Sequence, residues 1–304
     1  MLLDRCFKPK LLPSLEDYQF RNSITSQEWR HNIKYFMKFL KLPWLPTYDK
    51  LFEDIYDLYN ADVAFHNHVH VYDVFQLGIC LLTRCKNVLK KMTNVEKFTY
   101  CIALLCHDID HKGLTNVDIA NNKHIYKADD QLFIREDSIS SVSTMCSSSS
   151  HNEKHHLLRA ICILQKYQIK YDELFFIKLI SYTDLIKHQS FIQNFQHQKR
   201  EHILILLMKL ADVGHILRPW DIHLHFVLSL NNEILCPLNK SFVPNDTISF
   251  NNMFTLSLLK KIKDFNVELY DELSNLYDKN MNNWHNMIKF PKISNKFNVM
   301  NYTI

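Results

Sequence analysis

The chain has 304 residues, of which 47% are hydrophobic and 22% charged, a balance typical of globular proteins and not of disordered ones. Its net charge is only +4, and the basic residues are scattered, so the sequence gives no indication of nucleic-acid binding. No apolar run approaches the roughly 18 residues of a membrane span. Eight cysteines without regular spacing indicate buried thiols in a reducing compartment. We therefore expect a cytoplasmic protein. Any association with a membrane would require segments outside this chain.

Helical periodicity begins at Thr25 and Glu28, which form a capping-box pattern ahead of apolar residues at helical spacing. Thr93 and Glu96 repeat the pattern before an apolar stretch that ends at His107. Strand-like alternation is absent, so the sequence predicts an all-α fold. Further helices are predicted over 153–167, 171–187, 201–211, 216–231 and 250–288, the last of them broken.

The domain organisation is simple. We predict an irregular lead-in over residues 1–24, one domain over 25–290 and a C-terminal tail over 291–304. Inside the domain, residues 138–152 hold eight serines and little else that could pack. Such a composition is typical of a solvated, mobile loop, so we expect this insertion to be dispensable for folding.

One apolar run ends abruptly in polar groups. Residues 101–106 are followed by His107, Asp108, Asp110 and His111. Buried ionisable groups are costly unless they are paired or bound to a metal. The cluster therefore indicates an ion site at the inner end of a core helix, although a surface-exposed cap would show the same short motif.

A histidine pair provides a second element of this site. His66 and His70 are four residues apart, a spacing that on a helix places both imidazoles on one face. We expect one of them to bind a metal while the other faces the substrate. The alternative is that they are ordinary core or surface histidines, since 17 histidines make chance pairs common.

Asp212 completes a possible ligand set, because it follows a second apolar run, 203–210. His70, His107, Asp108 and Asp212 together offer two imidazoles and two carboxylates, which suit Zn²⁺ with positions left open for water. A carboxylate such as Asp108 can also bridge to a harder ion such as Mg²⁺. Two metals with a bridging hydroxide are a recurring device for hydrolysing phosphoesters.

At this point the sequence resembles a known family, the catalytic domain of the class I cyclic-nucleotide phosphodiesterases, from about residue 50 to 290. Five motifs stand in the family's order: FHNHVHVYDV at 65–74, HDIDHKGLTN at 107–116, EKHH at 153–156, TDLIKH at 183–188 and ADVGHILRPW at 211–220. The resemblance implies a compact multi-helix fold of the HD-type phosphohydrolases. It also implies a hydrolase that opens 3′,5′-cGMP, cAMP or both to the 5′-monophosphate and so ends a cyclic-nucleotide signal.

The resemblance implies a role for each matching residue. His70, His107, Asp108 and Asp212 match the ligands of a zinc ion, and Asp108 matches the bridge to Mg²⁺ or Mn²⁺. His66 matches the general acid that protonates the leaving O3′. The residues that match positions holding water at the metals are His111, Asn116, Glu153 and Thr183.

The base-recognition positions depart from the family pattern. Phe254 matches the aromatic residue that stacks on the base, but the family's purine-selective Gln is Asn251 here. His215 replaces an Asn linked to adenine recognition. These changes favour cGMP or loose dual selectivity over strict cAMP hydrolysis, with cyclic nucleotide as the expected small-molecule partner.

Two other functions stay open on the sequence. A degenerate relative would bind a cyclic nucleotide or a partner without turnover. A broader HD-type phosphohydrolase would act on other nucleotides. The sequence leaves the oligomeric state open as well.

Overall fold

The computed structural model describes residues 24–122, 126, 134–235, 237 and 244–289. Every regular element in these ranges is a helix, which confirms the predicted all-α fold. Nearly all of the predicted lead-in and the whole predicted tail lie outside the described residues. Within the described ranges, no helix combines the length and the hydropathy that a membrane crossing requires.

Fifteen α-helices lie within the described residues. In chain order they are α1 (Ser26–Phe39), α2 (Pro46–Asp57), α3 (His68–Arg84), α4 (Lys86–Leu89), α5 (Asn94–Cys106), α6 (Asn116–Asn121), α7 (Glu136–Met145), α8 (His151–Lys166), α9 (Glu173–Ser181), α10 (His188–Asn194), α11 (Arg200–Val213), α12 (Trp220–Leu230), α13 (Pro244–Met253), α14 (Thr255–Lys263) and α15 (Val267–Lys289). Two 3₁₀ turns, Leu185–Lys187 and Gly214–Leu217, precede α10 and α12, and a π-helical turn, Asn231–Leu235, follows α12.

Both predicted capping boxes form. The Glu28 backbone N–H donates to Thr25 Oγ1 at 3.3 Å, and the Thr25 N–H donates back to Glu28 Oε2 at 3.1 Å. Thr93 and Glu96 make the same reciprocal pair at the start of α5. These bonds satisfy backbone donors that a helix start otherwise leaves unpaired, so the predicted starts of α1 and α5 are confirmed.

Three buried helices form the centre of the domain. Helix α3 packs against both α5 and α11, and all of its residues except the terminal His68 and Arg84 are buried. Gly78 allows the close approach of α3 and α5, because a Cβ there would lie 2.6 Å from the side-chain methyl groups of Leu104. The polar ends of these helices therefore meet at a fixed point inside the protein.

The prediction for the Ser-rich segment was wrong. Residues 136–145 form α7, and both Val142 and Cys146 are buried against the hydrophobic core. Ser138 Oγ donates to Glu173 Oε1 at 2.7 Å, and Ser150 Oγ donates to Asp184. Val142 and Cys146 therefore anchor α7 to the core. The hydroxyls of Ser138 in α7 and of Ser150 before α8 are bound to carboxylates.

One helix predicted as continuous is interrupted, and one predicted as broken is divided. The segment predicted as one helix over 171–187 is interrupted after α9, where Asp184 Oδ1 accepts from the Ile186 N–H at 2.9 Å and starts a short 3₁₀ turn. The stretch predicted as a broken helix over 250–288 is indeed divided, into α13, α14 and α15. Local side-chain bonds of this kind compete with helix continuation.

The packing of α7 predicts that the Ser-rich segment contributes to stability. Val142→Ser should lower the free energy of unfolding by about 1.5–3 kcal/mol, the value of burying one such side chain. Denaturant unfolding followed by circular dichroism measures the change. Ser143→Ala, on the exposed side of the same helix, is the matched control and should stay within about 0.5 kcal/mol of the parent. Equal stability of all three proteins would contradict the packing.

Candidate metal and catalytic site

Four predicted ligand residues converge where α3, α5 and α11 meet. His70 lies in the first turn of α3, His107 and Asp108 directly follow α5, and Asp212 lies in the last turn of α11. One ligand atom from each lies within 4.8 Å of those from the other three. Residues from three distant parts of the sequence therefore form one cluster.

The geometry inside the cluster is that of a cation site. His107 Nε2 lies 3.0 Å from Asp108 Oδ2 and 3.4 Å from Asp212 Oδ1. His70 Nε2 lies 3.4 Å and 3.5 Å from the same two atoms. Both ring nitrogens are buried and, within the described part of the chain, have no hydrogen-bond partner. His107 Nδ1 lies 3.0 Å from the Leu104 carbonyl oxygen, to which it donates, so the Nε2 lone pair faces the carboxylates and fits a metal.

The electrostatics keep both carboxylates ionised. Burial alone would raise the pKa of Asp108, but the neighbouring His107 and His70 outweigh it and hold that pKa well below its usual value. The same balance lowers the pKa of Asp212 to about 2. In return, Asp108 and Asp212 raise the pKa of His107 well above its usual value, against the effect of burial. This concentration of negative charge would attract a cation in place of the imidazole protons.

His66 lies beside the cluster, but not for the predicted reason. Helix α3 begins at His68, and Asn67 caps it by accepting from the Val69 N–H at 2.9 Å. His66 thus precedes the helix and does not share a helical face with His70, which corrects the prediction. The two imidazole centroids are nevertheless 5.8 Å apart, because the turn before α3 brings His66 back over the site.

Glu233 holds His66 in place, and the sequence analysis missed it. One carboxylate oxygen contacts His66 Nδ1, and the other accepts from the backbone N–H groups of Phe65 at 2.7 Å and His66 at 3.0 Å. Burial would raise the pKa of Glu233, but these bonds lower it. Glu233 lies in the π-helical turn, 167 residues from His66. Its sequence neighbours are polar, Asn231 and Asn232, so the sequence did not indicate that Glu233 is buried. Single π-helical turns are frequent at functional sites.

His111 covers one face of His66. The two rings stack with centroids 3.9 Å apart, and the Gly113 N–H donates to His111 Nδ1 at 3.0 Å. Burial and the adjacent His66 push the pKa of His111 well below its usual value. His111 therefore stays neutral and adds no positive charge beside the His66 ring.

The other residues predicted to hold water form a neighbouring polar layer. Asn116 Nδ2 donates to Glu153 Oε2 at 3.2 Å, and Asn116 Oδ1 accepts from the Asn152 N–H at 2.7 Å. Burial, together with the charge of Asp184, raises the pKa of Glu153 to about 7. Thr183 is buried beside Asp184 and donates to the Ile180 carbonyl oxygen at 2.8 Å. Asn116 and Glu153 are thus in direct contact. Thr183 lies between α9 and the 3₁₀ turn that begins at Leu185.

The three predicted base-binding residues occupy different environments. Asn251 is fully buried, and its amide donates to the Thr247 carbonyl oxygen at 2.8 Å and accepts from Thr255 Oγ1 at 3.1 Å. Phe254 is partly exposed and packs beside His188. His215 lies on the 3₁₀ turn three residues after Asp212. The Asn251 amide is therefore engaged by Thr247 of α13 and by Thr255 at the start of α14, whereas Phe254 keeps accessible surface.

Comparison with known proteins places this site in a family. The family described as 3′5′-cyclic nucleotide phosphodiesterase matches residues 65–287, a range that contains the four clustered residues, His66 and Glu233. The match covers more than half of the chain.

Curated relatives agree with this assignment. The 3′,5′-cyclic-nucleotide phosphodiesterase regA of Dictyostelium discoideum is 27% identical over 199 residues, which cover 58% of this chain and 23% of the relative. The cGMP-specific 3′,5′-cyclic phosphodiesterase alpha of Plasmodium falciparum is 25% identical over 236 residues, or 71% and 24% of the two chains. This chain therefore spans about a quarter of the length of these relatives.

A solved structure shows the same fold. The phosphodiesterase domain of the RhoPDE fusion protein from the choanoflagellate Salpingoeca rosetta superimposes with a TM-score of 0.73 at 19% identity, over 92% of this chain and 96% of that one. Together with the family match over residues 65–287, this leads to one conclusion. The chain belongs to the 3′,5′-cyclic nucleotide phosphodiesterase family of metal-dependent hydrolases.

Proposed function

We propose that the chain hydrolyses 3′,5′-cyclic nucleotides, cGMP, cAMP or both, to 5′-monophosphates. The observation that carries this proposal is the convergence of two buried imidazole nitrogens and two ionised carboxylates into one cluster. The cluster lies next to His66, which Glu233 holds in place. Burying such groups together is costly unless they serve a bound cation. The names of the curated relatives support the substrate class.

The four clustered residues would hold the metals. His70, His107, Asp108 and Asp212 suit a zinc ion, since imidazole and carboxylate are its usual ligands besides thiolate. Asp108 would be shared with Mg²⁺ or Mn²⁺, which prefer oxygen ligands and retain water. When bound, these ions neutralise the phosphate charge and make water nucleophilic near neutral pH.

His66 would donate the proton that the leaving O3′ requires. Its Nδ1 is engaged by the Glu233 carboxylate, which fixes the ring orientation. The other nitrogen, Nε2, is then available to hold a proton for the substrate. Stacked His111 stays neutral and limits rotation of the ring. A positioned general acid of this kind is typically worth about 10²–10⁴-fold in rate.

The residues present argue against a degenerate relative, because every proposed metal ligand and the proposed general acid are in place. A phosphohydrolase of broader substrate range remains the second candidate. It is favoured by one observation, that the Asn251 amide already makes hydrogen bonds with Thr247 and Thr255.

Turnover and its dependence on metal test the proposal directly. The purified chain should hydrolyse cGMP or cAMP, lose activity on strong chelation and regain it with Zn²⁺ plus Mg²⁺ or Mn²⁺. His70→Ala should also lose bound zinc, measured by elemental analysis, whereas the solvent-exposed His31→Ala should retain it. Full activity of a preparation shown to be free of metal would contradict the mechanism. Hydrolysis of other nucleotides alone would favour the second candidate.

The proposed role of His66 predicts a separate effect. His66→Ala should lower kcat by about 10²–10⁴-fold with nearly unchanged metal content, because His66 is not among the four clustered ligands. Glu233→Gln, which removes the charge and keeps the shape, should lower kcat in the same direction. Loss of the metal in His66→Ala would show that the proposed roles of His66 and His70 are interchanged.

The surroundings of Asn251 predict how a longer amide behaves. Asn251→Gln adds a methylene group to a fully buried position, so it should lower stability by about 1–3 kcal/mol through overpacking. Because the amide is engaged by Thr247 and Thr255, kcat/KM for cGMP and cAMP should change by the same factor. Initial rates with both nucleotides, beside a denaturant unfolding curve, measure this. Unequal changes would show that Asn251 contacts the base.

A further inference from the structure

Lys209 is a charged residue inside the apolar run of α11. It lies three residues before Asp212, and only 2% of its surface is exposed. Burying an ammonium group is costly unless its hydrogens are bound by other groups. No step of the proposed hydrolysis uses Lys209, so its burial at this position requires a different explanation.

The ammonium group binds the backbone on both sides of Thr183. Lys209 Nζ donates to the carbonyl oxygen of Tyr182 and, at 3.5 Å, to that of Asp184. Tyr182, Thr183 and Asp184 connect α9 to the following 3₁₀ turn, and we call these three residues the Thr183 link. A single lysine therefore ties both ends of the Thr183 link to α11.

Ser150 holds the Thr183 link from a second side. Its Oγ donates to the Asp184 carboxylate, and it immediately precedes α8, whose first turn carries Glu153. Glu153 Oε2 in turn accepts from Asn116 Nδ2 at 3.2 Å. The Thr183 link, Glu153 and Asn116 thus belong to one connected polar layer, and Lys209 anchors that layer to α11.

The surrounding charges keep Lys209 protonated. Burial lowers the pKa of Lys209 to about 8, and the negative charges of Asp212, Asp184 and Glu153 prevent a larger fall. A pKa of about 8 leaves the ammonium group mostly charged at neutral pH. The Thr183 link is therefore held by charge-assisted hydrogen bonds, which are about twice as strong as bonds between neutral groups.

Helix α11 relates this polar layer to the clustered ligand residues. Lys209 and Asp212 are three residues apart, so they are neighbours on the surface of the helix. The Asp212 carboxylate belongs to the four-residue cluster, whereas the Lys209 ammonium group binds the Thr183 link. The spacing between the proposed zinc ligands and the proposed water-holding layer is therefore set by one turn of a buried helix.

We propose that Lys209 is a positioning residue for the second, oxygen-preferring metal ion, Mg²⁺ or Mn²⁺. This inference rests on the proposed function, because it takes Asn116, Glu153 and Thr183 to hold water at the metals. Ions of this kind retain several waters, so their affinity depends on how precisely the groups around those waters are placed. Zinc would be bound directly by the four clustered side chains, so zinc binding should not depend on Lys209.

Replacement of the lysine tests this role. Lys209→Met keeps an unbranched side chain but removes the charge and the donors. In the zinc-loaded protein, the Kd for Mn²⁺ should rise by about tenfold, the lower end of the effect of losing an outer partner of a metal site. Electron paramagnetic resonance of unbound Mn²⁺ measures this Kd, and elemental analysis should show unchanged zinc. Lys209→Arg, which restores the charge and the donors, should bind Mn²⁺ more tightly than Lys209→Met.

Lys178→Met is the matched control. Lys178 of α9 donates to Glu201 of α11 at 2.9 Å, so it joins the same two helices as Lys209 does. Glu201 lies about 16 Å along α11 from Asp212, at a rise of about 1.5 Å per residue. The control therefore loses a lysine between α9 and α11 far from the cluster, and its Kd for Mn²⁺ should equal that of the parent.

Hydrogen exchange of the parent protein provides a measurement that does not depend on the folding of any variant. Addition of Mg²⁺ to the zinc-loaded protein should slow exchange in peptides that contain the Thr183 link more than in peptides of α1. Mass spectrometry of the exchanged peptides measures the difference. Equal effects on the two regions would contradict a coupling between the Thr183 link and the second ion.

The outcomes separate the two proposals. A lysine that only binds the last carbonyl groups of α9 would lower the stability of Lys209→Met and leave its Kd for Mn²⁺ unchanged. That result, an equal rise in Lys178→Met, or loss of zinc together with Mn²⁺ would overturn the inference. Expected ion binding without turnover of cGMP or cAMP would contradict the proposed function alone. A tenfold rise confined to Lys209→Met, with unchanged zinc, would support the inference.

Discussion

The site depends on burying two imidazoles and two carboxylates at the meeting point of three core helices. Helices α3, α5 and α11 are largely buried, and the cluster forms at one end of each of them. Their close packing, with Gly78 against Leu104, leaves little freedom in where those polar ends lie. Because such groups are costly to bury without a cation, the packing of the core and the requirement for a metal reinforce each other.

Support for His66 comes from a different part of the chain. Glu233 binds the side chain and the backbone of the same residue, so a single carboxylate fixes both the ring and the turn that carries it. His111 restricts the ring from one face. A general acid gains most from this kind of preorganisation, since a small misplacement costs a large factor in rate. The π-helical turn carries Glu233 into this contact.

The two predicted base-binding positions that differ from the family pattern show what motif matching leaves out. It does not reveal which neighbours each substituted side chain contacts. Asn251 and His215 both differ from the family pattern, yet they lie in unlike surroundings. Asn251 spends its amide on Thr247 and Thr255, while His215 is tied to His223 and keeps one nitrogen without a described partner. The chemistry of a buried imidazole depends on the group at its other nitrogen, and the other nitrogen of His223 accepts from Trp284 Nε1.

The sequence by itself determined the helical fold, the capped starts of α1 and α5 and the identity of the clustered ligands, because apolar periodicity and polar residues at the ends of apolar runs are local signals. It also indicated that His66 lies near His70, although the helical reason given for it was wrong. Only the tertiary structure decided the packing of α7, the pairing of Glu233 with His66 and the hydrogen bonds that join Trp284, His223 and His215. Each of these depends on contacts between residues far apart in the chain, and no local periodicity encodes which distant partner will satisfy a buried polar group.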